Sequence, residues 1–309
     1  QEENMYCVID IGSNTIRLVV YRVENNTIKP MLNKKYSVGL AGYINKKQTL
    51  NKKGILKTIS VLKEYRLIID MLPDCEVFPF ATASLRNIVN SAEVINAIKE
   101  ETGFSVRILS GHEEALFSYN GTMQTLPTDN GIVADIGGGS TEIVLIADKS
   151  PLCAESVPIG SLNLYESYIN ILLPTKKELS KIETAVKKQI KNLSLPKNII
   201  TNQPLCAVGG TARAALEIYK YINNINDNIT GYDCGFFSEL LDMYSDSHSK
   251  VIDYILKTAP DRIHTILPGI VILKTISEYF KCSAVTTSSF GVREGYLCHI
   301  LKERGVLHD

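Results

Sequence analysis

Three glycines stand between an aspartate and a Ser-Thr-Glu run in ADIGGGSTEIVLI, residues 134–146. Glycine in an extended segment costs roughly 0.5–1 kcal/mol per position relative to alanine. A bare turn needs one or two glycines, so three imply a backbone that must come very close to something. Consecutive backbone N–H groups can converge on an anion as a nest, and phosphate is the usual occupant. Asp135 repels phosphate by charge, and its place there makes sense when Mg²⁺ lies between the two. The same layout occurs 125 residues earlier. Laid without a gap on 135–146, DIGSNTIRLVVY (10–21) matches Asp10 to Asp135, Ile11 to Ile136, Gly12 to Gly137 and Val19 to Val144. The candidate phosphate-binding residues are therefore Gly12, Ser13, Asn14 and Thr15 in one loop, and Gly137, Gly138, Gly139, Ser140 and Thr141 in the other. Asp10 and Asp135 are candidate metal-associated acids. The structural alternative is a pair of tight hairpins whose Asp and Asn side chains only shape turns; two matching loops in one chain argue against it.

Elements that would position these loops follow from hydrophobic period. MYCVID and TIRLVVYRV read as strands around the first loop, and IKPMLNKKYSV as a third. Residues 51–72 carry Ile55, Ile59, Leu62, Tyr65 and Ile69 on one helical face. EVFPFATAS reads as a strand, SAEVINAIKEETG as a helix with Ser91 as N-cap and Gly103 as stop, and FSVRILSG as a strand. HEEALFSYNGTM opens a helix. After the second loop, Thr175 and Glu178 form a capping-box pattern ahead of the stripe Leu179, Ile182, Val186 and Ile190. LCAVGGTARAALEIY, ILPGIVILKTISEYF and AVTTSSFGVREGYLCHIL continue the alternation of strands and helices. The class is α/β, and QTLPTDN (124–130) is the expected linker.

Bulk properties narrow the function. At 309 residues two domains are the prior. Thirty-three basic and 33 acidic residues give no net charge, which argues against a duplex nucleic-acid binder. No apolar run reaches a membrane span, and QEENM shows no signal pattern. Seven cysteines, an odd number without a C-x-x-C pair, predict reduced, mostly buried thiols and a cytoplasmic protein. The five histidines lack metal-ligand spacing. Lys176, Lys177, Lys181, Lys187, Lys188 and Lys191 crowd one helix. They are either its solvated face or a guide for a long polyanion.

In order along the chain, DIGSNTIRLVVY, ATASLRNIVN, ILSGHEEALFSYNG, DIGGGSTEIVLI, VGGTARA, ILPG and GVREGYL resemble the exopolyphosphatase/guanosine pentaphosphate phosphatase family of the actin-like ATPase superfamily. The resemblance covers nearly the whole chain. It implies two ribonuclease-H-like domains flanking a cleft: residues 1–126, rejoined by a C-terminal helix near 296–309, and residues 127–295. The chain resembles the short two-domain form, without the further C-terminal domains of long members. Carried over residue by residue, Glu114 in SGHEEA matches the catalytic base. Glu142 matches a second acid near metal or water, and Arg86 a phosphate-contacting arginine. Asp10 and Asp135 match the metal-associated acids, and Gly209 and Gly210 a loop that contacts nucleotide in the wider superfamily. The segment SVGLAGYINKKQTL keeps the family pattern only loosely, and His112 falls where the family varies.

The implied activity is Mg²⁺-dependent hydrolysis of the terminal phosphoanhydride of inorganic polyphosphate. The loops and metal hold the phosphoryl group, Arg86 offers a fork to its oxygens, and Glu114, its pKa raised by partial burial, orients and deprotonates water. Guanosine pentaphosphate is the alternative substrate. A kinase and a catalytically silent polyphosphate or alarmone sensor are the competing functions. Glu113 reads as a helix-start acid. Arg293 has two readings, one reaching the site and one a fold-stabilising ion pair. A homodimer is implied by the resemblance alone.

Overall fold

The run MYCVIDI is almost wholly buried because strands flank it on both sides. In the computed structural model, which describes residues 5–72, 74–194 and 202–308, β1 (Met5–Ile11) pairs antiparallel with β2 (Thr15–Glu24) and parallel with β4 (Cys75–Ala81). β3 (Thr27–Ser37) and β5 (Arg107–Ile108) complete a sheet of order β3-β2-β1-β4-β5. Helices α1 (Lys52–Ile69), α2 (Ala83–Arg86), α3 (Ser91–Thr102) and the start of α4 (Gly111–Thr125) belong to this first unit, as does α11 (Val292–Glu303) from Arg293 onward. Its core joins Ile9, Ile11, Ile16 and Leu18 of the sheet to Leu62, Tyr65, Val94 and Ile98 of α1 and α3.

The second unit repeats this plan. β6 (Gly131–Ile136), β7 (Thr141–Ala147) and β8 (Ser150–Val157) form the antiparallel meander. β9 (Leu205–Val208) and β11 (Ala284–Thr287) add in parallel, and β10 (Gly231–Asp233) closes the far edge. The order is β10-β11-β9-β6-β7-β8. Helices α5 (Ser161–Tyr168), α6 (Lys176–Lys191), α7 (Gly209–Ile222), α8 (Phe236–Asp246), α9 (His248–Thr258) and α10 (Ile266–Phe280) complete it. The 125-residue repeat extends into the backbone. Asp10 opposes Arg17 as Asp135 opposes Glu142, and the register slips at Val20/Tyr21 as it does at Leu145/Ile146. The α/β class and the two-domain arrangement match the expectation.

Several local expectations change. The two compact units are Gln1–Glu114 with Arg293–Asp309, and Ala115–Val292. Ala115 and Tyr119 of α4 share a small core with Val133 and Val144, and the Tyr119 hydroxyl donates to the Lys149 carbonyl at 2.8 Å. Residues 115–126 therefore pack with the second unit, and 124–130 lies inside it rather than between units. Ser91 is the first residue of α3, not its cap. Asn90 precedes it without capping, because its side chain is bonded to both the N–H and the carbonyl of Leu50. Gly103 does end α3, at φ 74°. The strand expected from FSVRILSG is limited to Arg107–Ile108, paired in parallel with Phe80 and Ala81 of β4.

The expectation of wholly reduced cysteines is corrected by a disulfide between Cys7 and Cys75. The parallel β1–β4 register sets Met5 beside Cys75 and brings the two cysteine Cα atoms to 6.4 Å, a separation disulfides span without strain in the backbone. The other five cysteines are free, four of them buried. Among the described residues, no helix is long and apolar enough to cross a membrane.

The capping box of α6 forms as its sequence predicts. Glu178 accepts from the Thr175 N–H at 2.8 Å and the Thr175 hydroxyl at 2.9 Å. These bonds, led by the Thr175 N–H and joined by Asn170, push its carboxyl down to about 2. A carboxyl lowered by folding contributes stability above its unfolded pKa and loses it as pH falls toward the folded value. The difference in thermal midpoint between the wild type and Glu178→Gln is therefore expected to hold steady above about pH 4.5 and to shrink toward pH 2. Melting curves across that range check it, and a gap independent of pH would contradict it.

Candidate active site

Each hairpin loop is built from behind by its own unit. In the first, the Gly12 N–H closes the turn onto the Thr15 carbonyl at 3.0 Å. The Ser13 carbonyl accepts from Ala41, and the Asn14 carbonyl from Val38 and Gly39, at 2.9–3.2 Å. In the second, Gly137 closes onto Ser140 at 3.0 Å. The start of α5 takes the carbonyls: Ser161 donates to Gly137, and Leu162 and Asn163 donate to Gly138, at 2.9–3.0 Å. The Asn163 amide adds a bond to the Gly139 carbonyl at 2.9 Å. Gly160 makes this approach feasible, because a Cβ there would stand 2.3 Å from the Gly138 carbonyl carbon. Among the described residues, no protein acceptor takes the N–H groups of Ser13 and Asn14, or of their counterparts Gly138 and Gly139. With carbonyls tied back and amides left over, both loops have the polarity of an anion nest.

Side-chain donors divide differently from the expectation. The Thr141 hydroxyl is spent on the Ile159 carbonyl at 2.6 Å, and Thr141 and Ser140 are buried. Among the described residues, the donors left without an acceptor in the second loop include the Gly138 and Gly139 N–H groups.

The acids are held individually. Asp135 and Glu142 oppose each other across β6 and β7, so both side chains leave the same face of the sheet. Ser118 of α4 donates to Asp135 Oδ2 at 2.7 Å, and Ser156 of β8 donates to Glu142 Oε1 at 2.7 Å. The turn after β9 passes close to Asp135. Gly209 sits at φ 94°, where a Cβ would lie 2.9 Å from Asp135 Oδ1. Helix α7 therefore starts beside that carboxylate, the end that favours negative charge. Gly210 leaves room for Arg262, whose Nη2 stands 1.8 Å from the position a Cβ would take. Burial lowers the Arg262 pKa. The sequence gives no motif for Arg262; the adjacent glycines, which make space without saying for what, are the nearest signal.

In the first unit, Asp10 is bonded by Arg293, Nη1 to Oδ2 at 3.0 Å. Both readings of Arg293 therefore meet: it forms an ion pair, and it does so with a candidate site residue. Arg86, at the end of α2, gives Nη1 to Glu114 Oε2 at 2.7 Å and to the Leu109 carbonyl at 3.0 Å. Arg86, expected to contact phosphate, is thus tied through Nη1 to the expected base. Glu114 is 7% exposed, and the guanidinium offsets the cost of burying its carboxylate. Glu113 starts the helix as expected: it accepts from the Ser110 N–H at 2.8 Å and from Arg107 at 2.6 Å, the first of which leads in lowering its pKa.

A divalent cation was expected on Asp10, Asp135 and Glu142. Among the described residues, no three His, Cys, Asp or Glu side chains gather to hold one. The donor set that fits is the pair Asp135 and Glu142, two hard oxygen ligands on one face. Mg²⁺ is commonly held by one or two carboxylates, with waters and substrate phosphates completing its shell.

A profile of the Ppx/GppA phosphatase family matches residues 19–304. The chain belongs to that family. Membership makes it a hydrolase of the phosphatase kind. It is 25% identical over 295 residues to a Haemophilus influenzae protein with the provisional name exopolyphosphatase, covering 95% of this chain and 90% of that one. It is 30% identical over 291 residues to a bifunctional 3-dehydroquinate synthase/phosphatase of Fusobacterium nucleatum. That match takes in 88% of this chain and spans 43% of the relative's length. The crystal structure of the Aquifex aeolicus Ppx/GppA family member superposes with a TM-score of 0.79 at 26% identity over 99% of each chain. The two-domain actin-like fold is that of the family.

Removing one partner of a buried ion pair leaves an uncompensated charge. Arg86→Met is expected to cost about 3 kcal/mol, the lower end for such pairs. Glu114→Gln is expected to cost less, and the double variant less than the sum of the two. Urea denaturation of the four proteins measures the cycle; additive losses would show that the pair is not coupled.

Proposed function

We propose that the protein is an exopolyphosphatase that removes terminal phosphate from inorganic polyphosphate, with Mg²⁺ as cofactor. The observation that carries this reading is the repeated loop whose carbonyls are tied back and whose Ser13, Asn14, Gly138 and Gly139 amides have no acceptor among the described residues. A substrate that is phosphate along its whole length suits a chain carrying two such nests. The family match and the names of the Haemophilus influenzae and Fusobacterium nucleatum relatives support a phosphatase activity.

Side chains next to the loops give each unit a role. Across the first sheet, Lys35, Arg17 and Asp10 stand in one register row. Across the second, the equivalent row is Ser156, Glu142 and Asp135. The basic row of the first unit suits a polyanion, and the acidic row of the second suits a divalent cation that would bind phosphate. Bound Mg²⁺ would neutralise phosphate charge against Asp135 and Glu142. Glu114, fixed by Arg86, orients the attacking water and accepts its proton. A new P–O bond forms to the water oxygen, the bridging P–O bond breaks, and the shortened chain leaves as the phosphate anion. Gly209, Gly210 and Arg262 line the start of α7 as a further anion-favouring end. The six lysines of α6 are exposed, and Lys187 is paired with Glu183.

Phosphate release from long-chain polyphosphate with Mg²⁺, wild type against Glu114→Gln, tests the reading. Release by the wild type and a loss of 100-fold or more in Glu114→Gln is expected, the lower end for a general base being roughly 10²-fold. Equal rates would remove Glu114 from the mechanism. Release from guanosine pentaphosphate but not polyphosphate would move the substrate to the alarmone, and release from neither would overturn the enzyme reading.

A further inference from the structure

The GVREG segment is a motif that the chemistry above leaves without work. Arg293 opens the return of the chain into the first unit, at the start of α11. Its side chain is 15% exposed, and that of Asp10 is 16% exposed. Beyond the bond to Asp10, its Nε is buried without a hydrogen-bond acceptor and lies 3.9 Å from Glu294 Oε1. The same Glu294 oxygen accepts from the Tyr21 hydroxyl at 2.5 Å. Tyr21 and Glu294 are both buried. Tyr21 sits at the register slip of β2, where the second unit carries Ile146. A chain Tyr21–Glu294–Arg293–Asp10 therefore runs from β2, through the first turn of α11, to the residue that precedes Ile11 and the loop. In the second unit the equivalent Asp135 accepts from the Ser118 hydroxyl.

Stability alone is a poor reason for this cluster, because well-packed apolar residues replace buried ion pairs at little cost. Direction is the better reason. Asp10 stands two residues before Gly12, and an unbalanced carboxylate there would repel phosphate at the Ser13 and Asn14 amides. We propose that Arg293 is a positioning residue for Asp10. It cancels the carboxylate's charge and fixes its side chain so that the loop can accept an anion, and Glu294 and Tyr21 aim the guanidinium. Arg293 acts through Asp10 and touches no reacting atom. The proposal rests on the reading of residues 12–15 as a phosphate cradle.

Three variants separate this role from simple structural support. Arg293→Met removes the charge, Arg293→Lys keeps the charge and loses the fork, and Tyr21→Phe removes only the hydroxyl that steadies Glu294. Two readouts are followed: kcat and KM on long-chain polyphosphate, and amide hydrogen exchange of residues 12–17 against residues 137–142 of the second unit. Arg293→Met is expected to raise KM about tenfold, a factor of one decade in binding. Its exchange should speed up at 12–17 and not at 137–142. Arg293→Lys should restore most of both, and Tyr21→Phe should give a smaller change of the same sign. An unchanged KM, or equal acceleration in both segments, would overturn the proposal. If Arg293→Met does not fold, the graded effects of Arg293→Lys and Tyr21→Phe decide it. A wild type inactive on polyphosphate would sink the substrate assignment instead, and the exchange data would still test Arg293.

Discussion

Everything at the loops depends on where their carbonyls go. A four-residue turn between antiparallel strands presents both polarities of the backbone, and an anion is repelled by the oxygens as strongly as it is drawn to the N–H groups. Here the oxygens are taken by the chain that follows the third strand of each meander. Residues 38–41 do this in the first unit and the start of α5 in the second. The device is the same and the parts differ: a short turn in one case, a helix N-terminus with Gly160 and Asn163 in the other. The third strand is therefore as important to the site as the two that carry the loop, because it delivers the segment that turns the carbonyls away.

Around that shared frame the two halves have diverged in charge. Position 17 is Arg and its counterpart at 142 is Glu, each directly across the hairpin from an aspartate. One unit answers its aspartate with Arg293 from the C-terminal helix, the other with the Ser118 hydroxyl. Two carboxylates side by side, each accepting from a serine hydroxyl, are hard oxygen ligands of the kind that Mg²⁺ takes. The two halves thus differ in charge on a backbone that shares the register slip at Val20/Tyr21 and Leu145/Ile146.

Much of this was legible in the sequence, and the legible part is local. The Asp–Gly loops could be aligned without a gap because strand pairing fixes the spacing from Asp10 to Arg17 and from Asp135 to Glu142. The capping box at Thr175 and the stop at Gly103 depend on neighbours within a turn. The features that were missed join distant residues. The Arg293–Asp10 bond spans 283 positions, and the Cys7–Cys75 disulfide spans 68. The Arg86–Glu114 bond joins residues 28 positions apart. Residues 115–126 read as part of the first half, but their apolar face is satisfied by Val133 and Val144. Arg262 carried no motif, and Gly209 and Gly210 signal space without showing what the space at Gly210 admits.

The central claim is that four backbone amides are kept for an anion. Titration of ¹⁵N-labelled protein with tripolyphosphate addresses it directly. The amide resonances of Ser13 and Asn14 in one loop, and of Gly138 and Gly139 in the other, should shift downfield and saturate, while the turn glycines Gly103 and Gly305 stay in place. If tripolyphosphate binds and those four resonances do not move, the loops are ordinary hairpin turns and the anion is held elsewhere.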